Sequence, residues 1–362
     1  MLLFNGIHKA ANMKLEWYDF LQQAGAEFND ADDCVCTFGN PVRELQVINT
    51  GEVFCDLSHF GMIEVYGDDA VQFLQGQFTS NINEVSNSRS QLSAYCNPKG
   101  RMYANFRIFK RETTYYIVLP YELLETTLKR LRMFVLRARV TLEDASDALI
   151  RIGVSGNDIH GHLTDSVGLL PDGIGECVET DNFSIIRVPG LTPSFEIHGL
   201  LEPMQKLWQA LDVDAAPVGA GAWQLLNIQA GVPVITAATS EAFVPQMINL
   251  QLLGGVSFTK GCYTGQEIVA RMHYLGKLKK RMYHVRIETD DEISAGEPLF
   301  AADSAAGQNT GAIVNAQRHP EGGNEALAVI QISDAETGGL RLRDANGPAI
   351  EVLELPYAFE EA

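Results

Sequence analysis

The chain has 362 residues, of which 46% are hydrophobic and 20% are charged, a balance typical of soluble globular proteins and not of disordered ones. Its net charge of −19 argues against broad nucleic-acid binding, because neutralising phosphates requires a basic face. No apolar run approaches the roughly 18 residues needed to cross a bilayer. The N-terminal stretch lacks a signal-peptide core, so we expect a cytoplasmic protein of two or three domains.

The first part of the chain predicts a ferredoxin-like α+β unit. A helix is expected at 14–28, followed by strands in QVINTGEVFCDLSHFGMIEVYG and a helix in GDDAVQFLQGQFTSNI, where Asp68 is a candidate N-cap. The segment LSAYCNPKGRMYANFRIFKRETTYYIVL predicts a hairpin that turns at 97–100. An amphipathic helix at 121–137 and a strand in RVTLEDAS complete a β-α-β-β-α-β order, which we assign to residues 1–149.

A second α+β domain is predicted over 150–281, and a third domain over 282–362. The second has a strand in LIRIGVSG, a helix, further strands through SFEIHG, and helices near 202–211 and 219–230. After residue 281 the pattern changes to period two, in short segments such as MYHVRIE, TGAIVNAQ and AIEVLELP. Short alternating strands separated by Gly, Asn and Asp turns indicate a small antiparallel barrel or sandwich.

The cysteines follow no zinc or iron–sulfur ligand spacing. We expect five of them to be buried thiols in a reducing compartment: Cys34, Cys36, Cys55, Cys96 and Cys177. The sixth, Cys262, lies in KGCYTGQE, immediately before a predicted helix. A helix N-terminus favours negative charge, and Lys260 and Arg271 add to that field, so we predict a reactive thiol. A small buried residue in a tight turn is the alternative.

The helix that follows Cys262 has a sequence signature at its start. Thr264 and Glu267 are spaced as a capping box, in which each side chain bonds to the backbone of the other residue. Tyr263 and Ile268 are spaced as a hydrophobic staple around the same turn. The spacing therefore predicts that Thr264 is the N-cap.

Positive charge is concentrated around this motif. Between residues 260 and 286 the chain has seven basic residues and one acid, Glu267. An island of this kind in an acidic protein predicts a local anionic partner, with a solvated surface as the alternative. The basic residues are Lys260, Arg271, Lys277, Lys279, Lys280, Arg281 and Arg286.

Four stretches together resemble the YgfZ family, folate-binding proteins related to the T-protein (aminomethyltransferase) of the glycine cleavage system. They are NIQAGVPVITAATSEAFVPQMINLQLLGGVSFTKGCYTGQEIVAR, GDDAVQFLQGQFTSNI, AYCNPKGRMYANFRIF and the C-terminal ELPYAFEE. The resemblance implies an α+β, three-domain aminomethyltransferase-like fold with ferredoxin-like units, a central folate site and a C-terminal antiparallel β-barrel. It also implies a role in making or maintaining iron–sulfur enzymes, including one that methylthiolates tRNA, with Cys262 as the functional residue.

The resemblance further implies which residues hold tetrahydrofolate. The family's two folate-contacting aromatic positions correspond to Phe60, in place of the usual tryptophan, and Trp223, and a planar pterin can stack on either ring. The glutamate that holds the pterin in the transferase corresponds to Gln229, which can form hydrogen bonds but carries no charge. The anionic tail of folate would be held by Arg271, Lys277, Lys279, Lys280 or Arg281. The expected cofactor-binding set is Phe60, Trp223, Gln229, Lys260, Tyr263, Arg271 and Arg281, with no metal site.

The same relation argues against classical aminomethyl transfer. Aligning the transferase hairpin on CNPKGRMYANFRIFK places Ala104 and Asn105 where the transferase has two aspartates, and neither can accept a proton from a reacting amine. We therefore expect a folate-binding accessory protein whose partners are iron–sulfur enzymes or their assembly factors, a tRNA-modifying enzyme among them. Two alternatives stay open: a folate-dependent one-carbon transferase that uses other residues, and an RNA- or protein-binding module with a vestigial folate site.

Overall fold

The computed structural model describes residues 12–31, 33–274, 276, 278–301 and 309–359. Its first elements are α1 (Leu15–Gln23), β1 (Glu27–Phe28), β2 (Val35–Thr37) and α2 (Pro41–Val47). Helix α1 is shorter than the predicted 14–28, because Gly25 adopts a φ of +93° just beyond its last turn. The indole of Trp17 in α1 is fully buried and donates a hydrogen bond of 2.8 Å to the carboxylate of Asp56.

The next strand, β3 (Val53–Asp56), belongs to a six-stranded sheet that is described below. The strands after it form a five-stranded antiparallel sheet. The sheet has the order β5-β6-β7-β4-β8, and two helices lie between its strands in sequence. Its elements are β4 (Phe60–Tyr66), α3 (Ala70–Gln75), β5 (Gln91–Cys96), β6 (Met102–Arg111), β7 (Thr114–Pro120), α4 (Tyr121–Arg132) and β8 (Thr141–Asp144).

This sheet corrects two details of the sequence interpretation. The segment predicted as one hairpin contains three strands, because the chain turns a second time at Glu112, which has a φ of +52°. A glutamate in the left-handed region is uncommon, so the composition gave no turn signal there. Helix α4 ends at Arg132 and not at 137, and its continuation exposes Met133, Phe134 and Leu136 to solvent.

A six-stranded sheet has the order β10-β11-β12-β9-β3-β13, in which only β3 and β13 run parallel. Because β3 precedes residue 149, this sheet draws strands from both sides of the predicted boundary at 150; the domain limits themselves stay predictions. Trp208 of α6 packs in its core against Phe54. The elements are β9 (Ile150–Ser155), α5 (Ile159–Val167), β10 (Cys177–Glu179), β11 (Phe183–Val188), β12 (Ser194–Gly199), α6 (Leu201–Leu211), β13 (Ala216–Val218) and α7 (Ala220–Gln229).

The last described part is a closed barrel with the strand order β14-β17-β16-β15-β18-β19, which confirms the barrel predicted for the C-terminal residues. It follows a long irregular segment and α8 (Gln266–Tyr274). Among the described residues, no helix has the length and apolar character that crossing a membrane requires. The barrel elements are β14 (Lys280–Ile287), β15 (Pro298–Ala301), β16 (Asn309–Arg318), β17 (Asn324–Gln331), α9 (Ile332–Thr337), β18 (Leu340–Leu342) and β19 (Ala349–Leu353).

Candidate functional site

A recess lies where the five-stranded sheet, the six-stranded sheet and α7 meet. It has two adjoining parts that share five wall residues, Phe60, Pro120, Trp223, Asn227 and Val234. The first chamber, with a cavity volume of about 60 Å³, is the part that also contains Arg107, Arg151, Glu196 and His198. The second chamber, with a cavity volume of about 300 Å³, is the part that also contains Asn12, Asp33, His59 and Glu122.

The two predicted aromatic positions lie in the wall between the chambers. Phe60 begins β4 and is half-buried, whereas Trp223 of α7 is only 2% exposed. The indole fits because Gly153 of β9 has no side chain: a Cβ there would lie 2.6 Å from ring carbon Cη2 of Trp223. Phe60 therefore offers the more accessible ring face.

Charged and polar side chains cluster in the first chamber. The guanidinium Nε of Arg107 donates a hydrogen bond of 2.9 Å to Oε2 of Glu196. His198 lies two residues further along β12, is 1% exposed, and has no hydrogen-bond partner at either ring nitrogen within the described structure. Burial lowers the pKa of His198 well below its usual value, and the nearby Arg151 and Arg107 add to this effect, so the ring is neutral.

Two further buried side chains of the recess each have one nitrogen without a partner in the described structure. Arg151 donates to the carbonyls of Ser146, Leu149 and Asn12, yet its Nε is unpaired, and burial lowers its pKa to about 10. In the second chamber, Nδ1 of His59 is unpaired and burial lowers the pKa of that ring to about 4. Unpaired buried polar atoms are uncommon in native proteins and are usually satisfied by water or a ligand.

One wall of the recess is the strap, residues 232–235, which two asparagines hold from opposite sides. Asn105 of β6 donates to the Pro233 carbonyl (2.8 Å) and accepts from the Ile235 amide (2.7 Å). Asn315 of the barrel strand β16 accepts from the Val234 amide (2.8 Å) and donates to its carbonyl (2.9 Å). Asn105 and Ala104 stand at the two positions where the transferase has aspartates. Here Asn105 holds the backbone of the strap, and Ala104 is fully buried in the core.

The KGCYTGQE loop packs elsewhere, against the segment 78–80 that flanks the edge strand β5. Nζ of Lys260 donates to the carbonyls of Phe78 (2.6 Å) and Ser80 (2.7 Å), and burial lowers its pKa to about 8. The same ammonium lies 5.1 Å from the ring centroid of buried Tyr263, whose pKa burial raises. Lys260 therefore points inward, while Cys262 is exposed. None of these three side chains is part of the wall of either chamber.

Helix α8 begins at Gln266, two residues after Thr264, so the predicted capping box is wrong. Within the described part of the chain no hydrogen bond joins the Thr264 side chain to the helix. Gly265 takes the capping position instead, with a φ of +85°, and a Cβ there would lie 2.4 Å from the carbonyl oxygen of Asn97. The loop thus rests directly on the turn at 97–100, where Gly100 faces Ile268.

The other predicted folate contacts lie outside the recess. Gln229 lies beside Glu325 of β17; burial raises the pKa of Glu325, but its hydrogen bond of 3.1 Å with His284, the charges of His284 and His319, and the neighbouring Gln229 hold that pKa below its usual value. Arg281 lies over the ring of Phe359 at 4.1 Å, and Arg271 is exposed. Lys279 is exposed and Lys280 half-buried, both away from the chamber walls, and Lys277 lies outside the described residues.

Sequence reasoning missed the polar residues of the recess. Asn227 lies four residues after Trp223, so both occupy one face of α7, a helical spacing that could have indicated it. Glu196 and His198 occupy alternate positions of β12, so both point to one face of a strand that is otherwise mostly buried. Two polar residues on one face of a buried strand could have indicated a polar site. The sequence alone does not show that Arg107 of β6 lies opposite these two residues of β12, and this contact is what indicates a polar site.

The remaining cysteines divide by exposure. Cys55, Cys96 and Cys177 are buried as predicted, but Cys36 is exposed as the middle residue of β2, and Cys34, directly before that strand, is half-buried. All six are free thiols. In the described ranges no three His, Cys, Asp or Glu side chains are grouped as metal ligands.

Proteins of known sequence resemble this chain along most of its length. Residues 11–166 match the GCVT N-terminal domain family. The tRNA-modifying protein YgfZ of Klebsiella pneumoniae (strain 342) is 31% identical over 307 residues, which cover 84% of this chain and 93% of that protein. The YgfZ proteins of Colwellia psychrerythraea and Yersinia pestis (strain Pestoides F) are 30% and 32% identical over 305 residues, 84% of this chain and 93% and 92% of theirs.

A solved structure shares the fold. The glycine cleavage system aminomethyltransferase T from Bartonella henselae superposes with a TM-score of 0.78, covering 94% of this chain and 97% of that one. At 19% identity this likeness concerns the fold alone. Together with the mixed sheets and the closed barrel it confirms the predicted aminomethyltransferase-like architecture. The chain belongs to the YgfZ family.

Proposed function

We propose that this protein binds tetrahydrofolate in the recess and acts as an accessory factor in the assembly or repair of iron–sulfur enzymes, including tRNA methylthiolation, through Cys262. The observation that carries the proposal is the first chamber, where an aromatic wall and unpaired buried polar groups face the same space. The curated relatives are named tRNA-modifying proteins, which supports the tRNA part of the role.

The residues of the recess fit a pterin. A flat bicyclic ring needs an apolar face, and Phe60 supplies one with Trp223 beside it. The ring edge carries several hydrogen-bond donors and acceptors, and His198, Arg151 and Glu196 offer complementary atoms within the same chamber. Bound folate would supply a one-carbon carrier, and the chain's own residues would bind and orient it.

Aminomethyl transfer of the classical kind finds little support in the hairpin. Asn105 uses both its amide oxygen and its amide nitrogen on the strap, and Ala104 has no polar atom in its side chain. A carboxylate at either position would be required to balance charge on a reacting amine. We therefore infer an accessory role in which Cys262, exposed on its loop, contacts a macromolecular partner.

Folate binding is tested by titrating the purified protein with tetrahydrofolate under anaerobic conditions while following tryptophan fluorescence. We expect a saturable change in wild type and about fivefold weaker binding in Phe60→Leu, since an aromatic contact contributes about 1 kcal/mol beyond burial. Phe134→Leu, which alters an exposed ring away from the recess, is the matched control. Wild type without a saturable signal would remove folate from the proposal.

The role of Cys262 is tested in cells that lack their own copy of this protein. Methylthiolated nucleosides in total tRNA are measured by mass spectrometry after expression of wild type, Cys262→Ser or Cys36→Ser. Both cysteines are exposed, so the second variant controls for the loss of any accessible thiol. We expect loss of methylthiolation only with Cys262→Ser; full restoration by that variant would contradict the proposal.

A further inference from the structure

We propose that the C-terminal end of α4 is a docking surface for an acidic amphipathic helix of a protein partner. This α4-end surface consists of three exposed apolar residues and four cations around them, and it lies outside the walls of both chambers. The inference therefore goes beyond the proposed function and depends neither on folate nor on Cys262. The apolar residues are Met133, Phe134 and Leu136, and the cations are Lys129, Arg130, Arg132 and Arg137.

The apolar part of the surface is concentrated in four consecutive residues. Met133 is 69% exposed, Phe134 49% and Leu136 85%. Single apolar side chains are ordinary on protein surfaces, whereas a contiguous group of large ones is typical of an interaction site. The three side chains together therefore indicate a face that a partner covers.

The backbone beneath these side chains is held by the fold. The amides of residues 133, 134 and 135 donate to carbonyls three or four residues earlier, over 3.0 to 3.3 Å, so the chain continues α4 in tight turns. Val135 and Val140 pack against the hydrophobic core that contains the buried face of α4. The exposed side chains are thus presented on an anchored segment, which reduces the ordering cost of binding.

Positive charge surrounds the apolar residues. Residues 126–142 include five basic residues and no acidic one, in a chain with a net charge of −19. Arg139 forms ion pairs with Asp68 (2.8 Å) and Asp69 (3.6 Å). Within the described structure no carboxylate forms an ion pair with the other four cations. Uncompensated cations beside an apolar group indicate an anionic partner.

Two of the guanidinium groups are already oriented. The guanidinium of Arg130 lies 4.0 Å from the ring centroid of Tyr103. Arg132 donates from Nε (3.0 Å) and Nη2 (2.7 Å) to the Leu142 carbonyl. These contacts position the groups without neutralising their charge. A positioned guanidinium loses less freedom when it pairs with a carboxylate, which it can bind through two parallel hydrogen bonds.

The composition and surroundings of the surface favour a protein helix as the occupant. Phe, Met and Arg are enriched in protein–protein interfaces. Asp68, Asp69 and Glu143 border the surface, and they would meet like charge if a bilayer or an RNA lay across it. A helix, about 10 Å wide, can lie on the α4-end surface alone. A second copy that used the same surface would oppose cations to cations. Carboxylates flanking an apolar helix face match both parts of the surface.

The partner is sought by photo-cross-linking in cells that express the full chain. A photoreactive phenylalanine analogue is incorporated at position 134 or, separately, at 136, and cross-linked peptides are sequenced by mass spectrometry. Val213, 77% exposed beyond α6, is the control position. From 134 and 136, but not from 213, we expect cross-links to one protein segment with apolar residues at helical spacing and several Asp or Glu residues.

The cross-linked segment is then synthesised as a labelled peptide, and its affinity for the full chain is measured by fluorescence anisotropy. Phe134→Ala should bind the peptide at least tenfold more weakly, since an apolar anchor is lost. Arg137→Glu should also weaken binding at least tenfold and flatten its dependence on salt. Lys206→Glu, the same change of charge on α6, should leave the affinity unchanged. Unfolding midpoints confirm that each variant is folded.

Several outcomes would overturn the inference. These are the absence of cross-links specific to positions 134 and 136, cross-links to a segment without acidic residues, and unchanged peptide affinity in folded Phe134→Ala or Arg137→Glu. Cross-links to lipid or RNA, or binding to phosphatidylglycerol vesicles that Phe134→Ala abolishes, would assign the surface to another class of partner. Tetrahydrofolate enters none of these measurements, so a failure of the proposed function would leave their results standing.

Discussion

The recess and the KGCYTGQE loop differ in how they hold their most informative side chains. In the recess, His198 and Arg151 line a chamber bounded by two sheets and α7, and each has buried nitrogen atoms without a hydrogen-bond partner in the described structure. On the loop, Lys260 donates its ammonium protons to two carbonyls, and Cys262 is exposed to solvent. The polar groups of the recess are enclosed and in part unpaired, as the proposed binding of a small ligand requires, whereas the thiol proposed to contact a macromolecular partner is exposed on a loop that Lys260 anchors.

Under the proposed function, ligand binding and thiol chemistry would occupy separate places. The side chain of Cys262 is not part of either chamber wall, so a pterin in the recess and the sulfur do not share one cavity in the described conformation. Changes on one side are therefore expected to leave the other intact. The four variants below test that separation.

The largest effect is expected for Trp223→Ala in the recess. The indole is 2% exposed and packs against Gly153, so its removal leaves a large cavity and should lower the free energy of unfolding by about 3–5 kcal/mol. Urea denaturation measures this loss, and Trp223→Phe, which keeps most of the packing, serves as the control. A stability equal to wild type would show that the wall of the recess is not held by this ring.

Next in size is Lys260→Met, which removes the fastening of the loop. Two buried carbonyls lose a charged donor, and we expect a loss of about 2 kcal/mol in the free energy of unfolding. Pterin affinity should stay within twofold of wild type, because the lysine is not in the chamber wall. A large loss of pterin affinity would show that the loop and the recess are not independent.

Lys260→Met is also expected to change how the free energy of unfolding depends on pH. Burial lowers the pKa of Lys260 to about 8, so between pH 8 and about 10 the unfolded chain holds a proton that the folded chain has released. Stability contributed by this group therefore rises with pH across that window. The difference in unfolding free energy between wild type and Lys260→Met should widen from pH 8 to 9.5, and a constant difference would contradict the assignment.

A smaller effect is expected for Gly265→Ala. The new Cβ would meet the Asn97 carbonyl at 2.4 Å and occupy a φ of +85°, at a cost of about 1–2 kcal/mol. Gly254→Ala is a matched control, since Gly254 has a φ of +73° but nothing near its Cβ position. We expect the first variant to be less stable than the second and to lose methylthiolation, with pterin binding unchanged in both. Equal stability would argue against close packing of the loop on the turn at 97–100.

The smallest change in stability is expected for Cys262→Ser. An exposed side chain of nearly the same size should alter the free energy of unfolding by less than about 0.5 kcal/mol and leave pterin affinity unaffected. Cys96→Ser, at a fully buried position, should by contrast be clearly destabilising. Weakened pterin binding by Cys262→Ser would show that the sulfur and the recess communicate.

Much of the architecture was readable from the sequence, and the misses have physical causes. Period-two patterns in the C-terminal residues predicted the barrel, but β15 is only four residues long and begins with Pro298, which is too short to show a period. The start of α8 was misplaced because the residue directly before the helix is a glycine with a positive φ and not a residue with a hydroxyl side chain. Such conformations depend on what the loop packs against.

The recess was predictable only in part. Phe60 and Trp223 were named from their positions in the family pattern, and the structure brings them to one wall. Gln229 was named in the same way and faces the barrel, whereas Asn227, two residues earlier on α7, faces the recess. A helix turns 100° per residue, so a two-residue difference changes the face completely, and only the packing of α7 decides which residue is inside.

The strap has a consequence for biosynthesis. Its middle residue, Val234, is held by Asn315, which is synthesised about eighty residues after it, whereas Asn105 on the other side is synthesised before the strap. The pocket wall is therefore fastened on one side during translation and on both sides only when the barrel closes. If folate binds in the recess as proposed, chains that end before the barrel would bind it poorly.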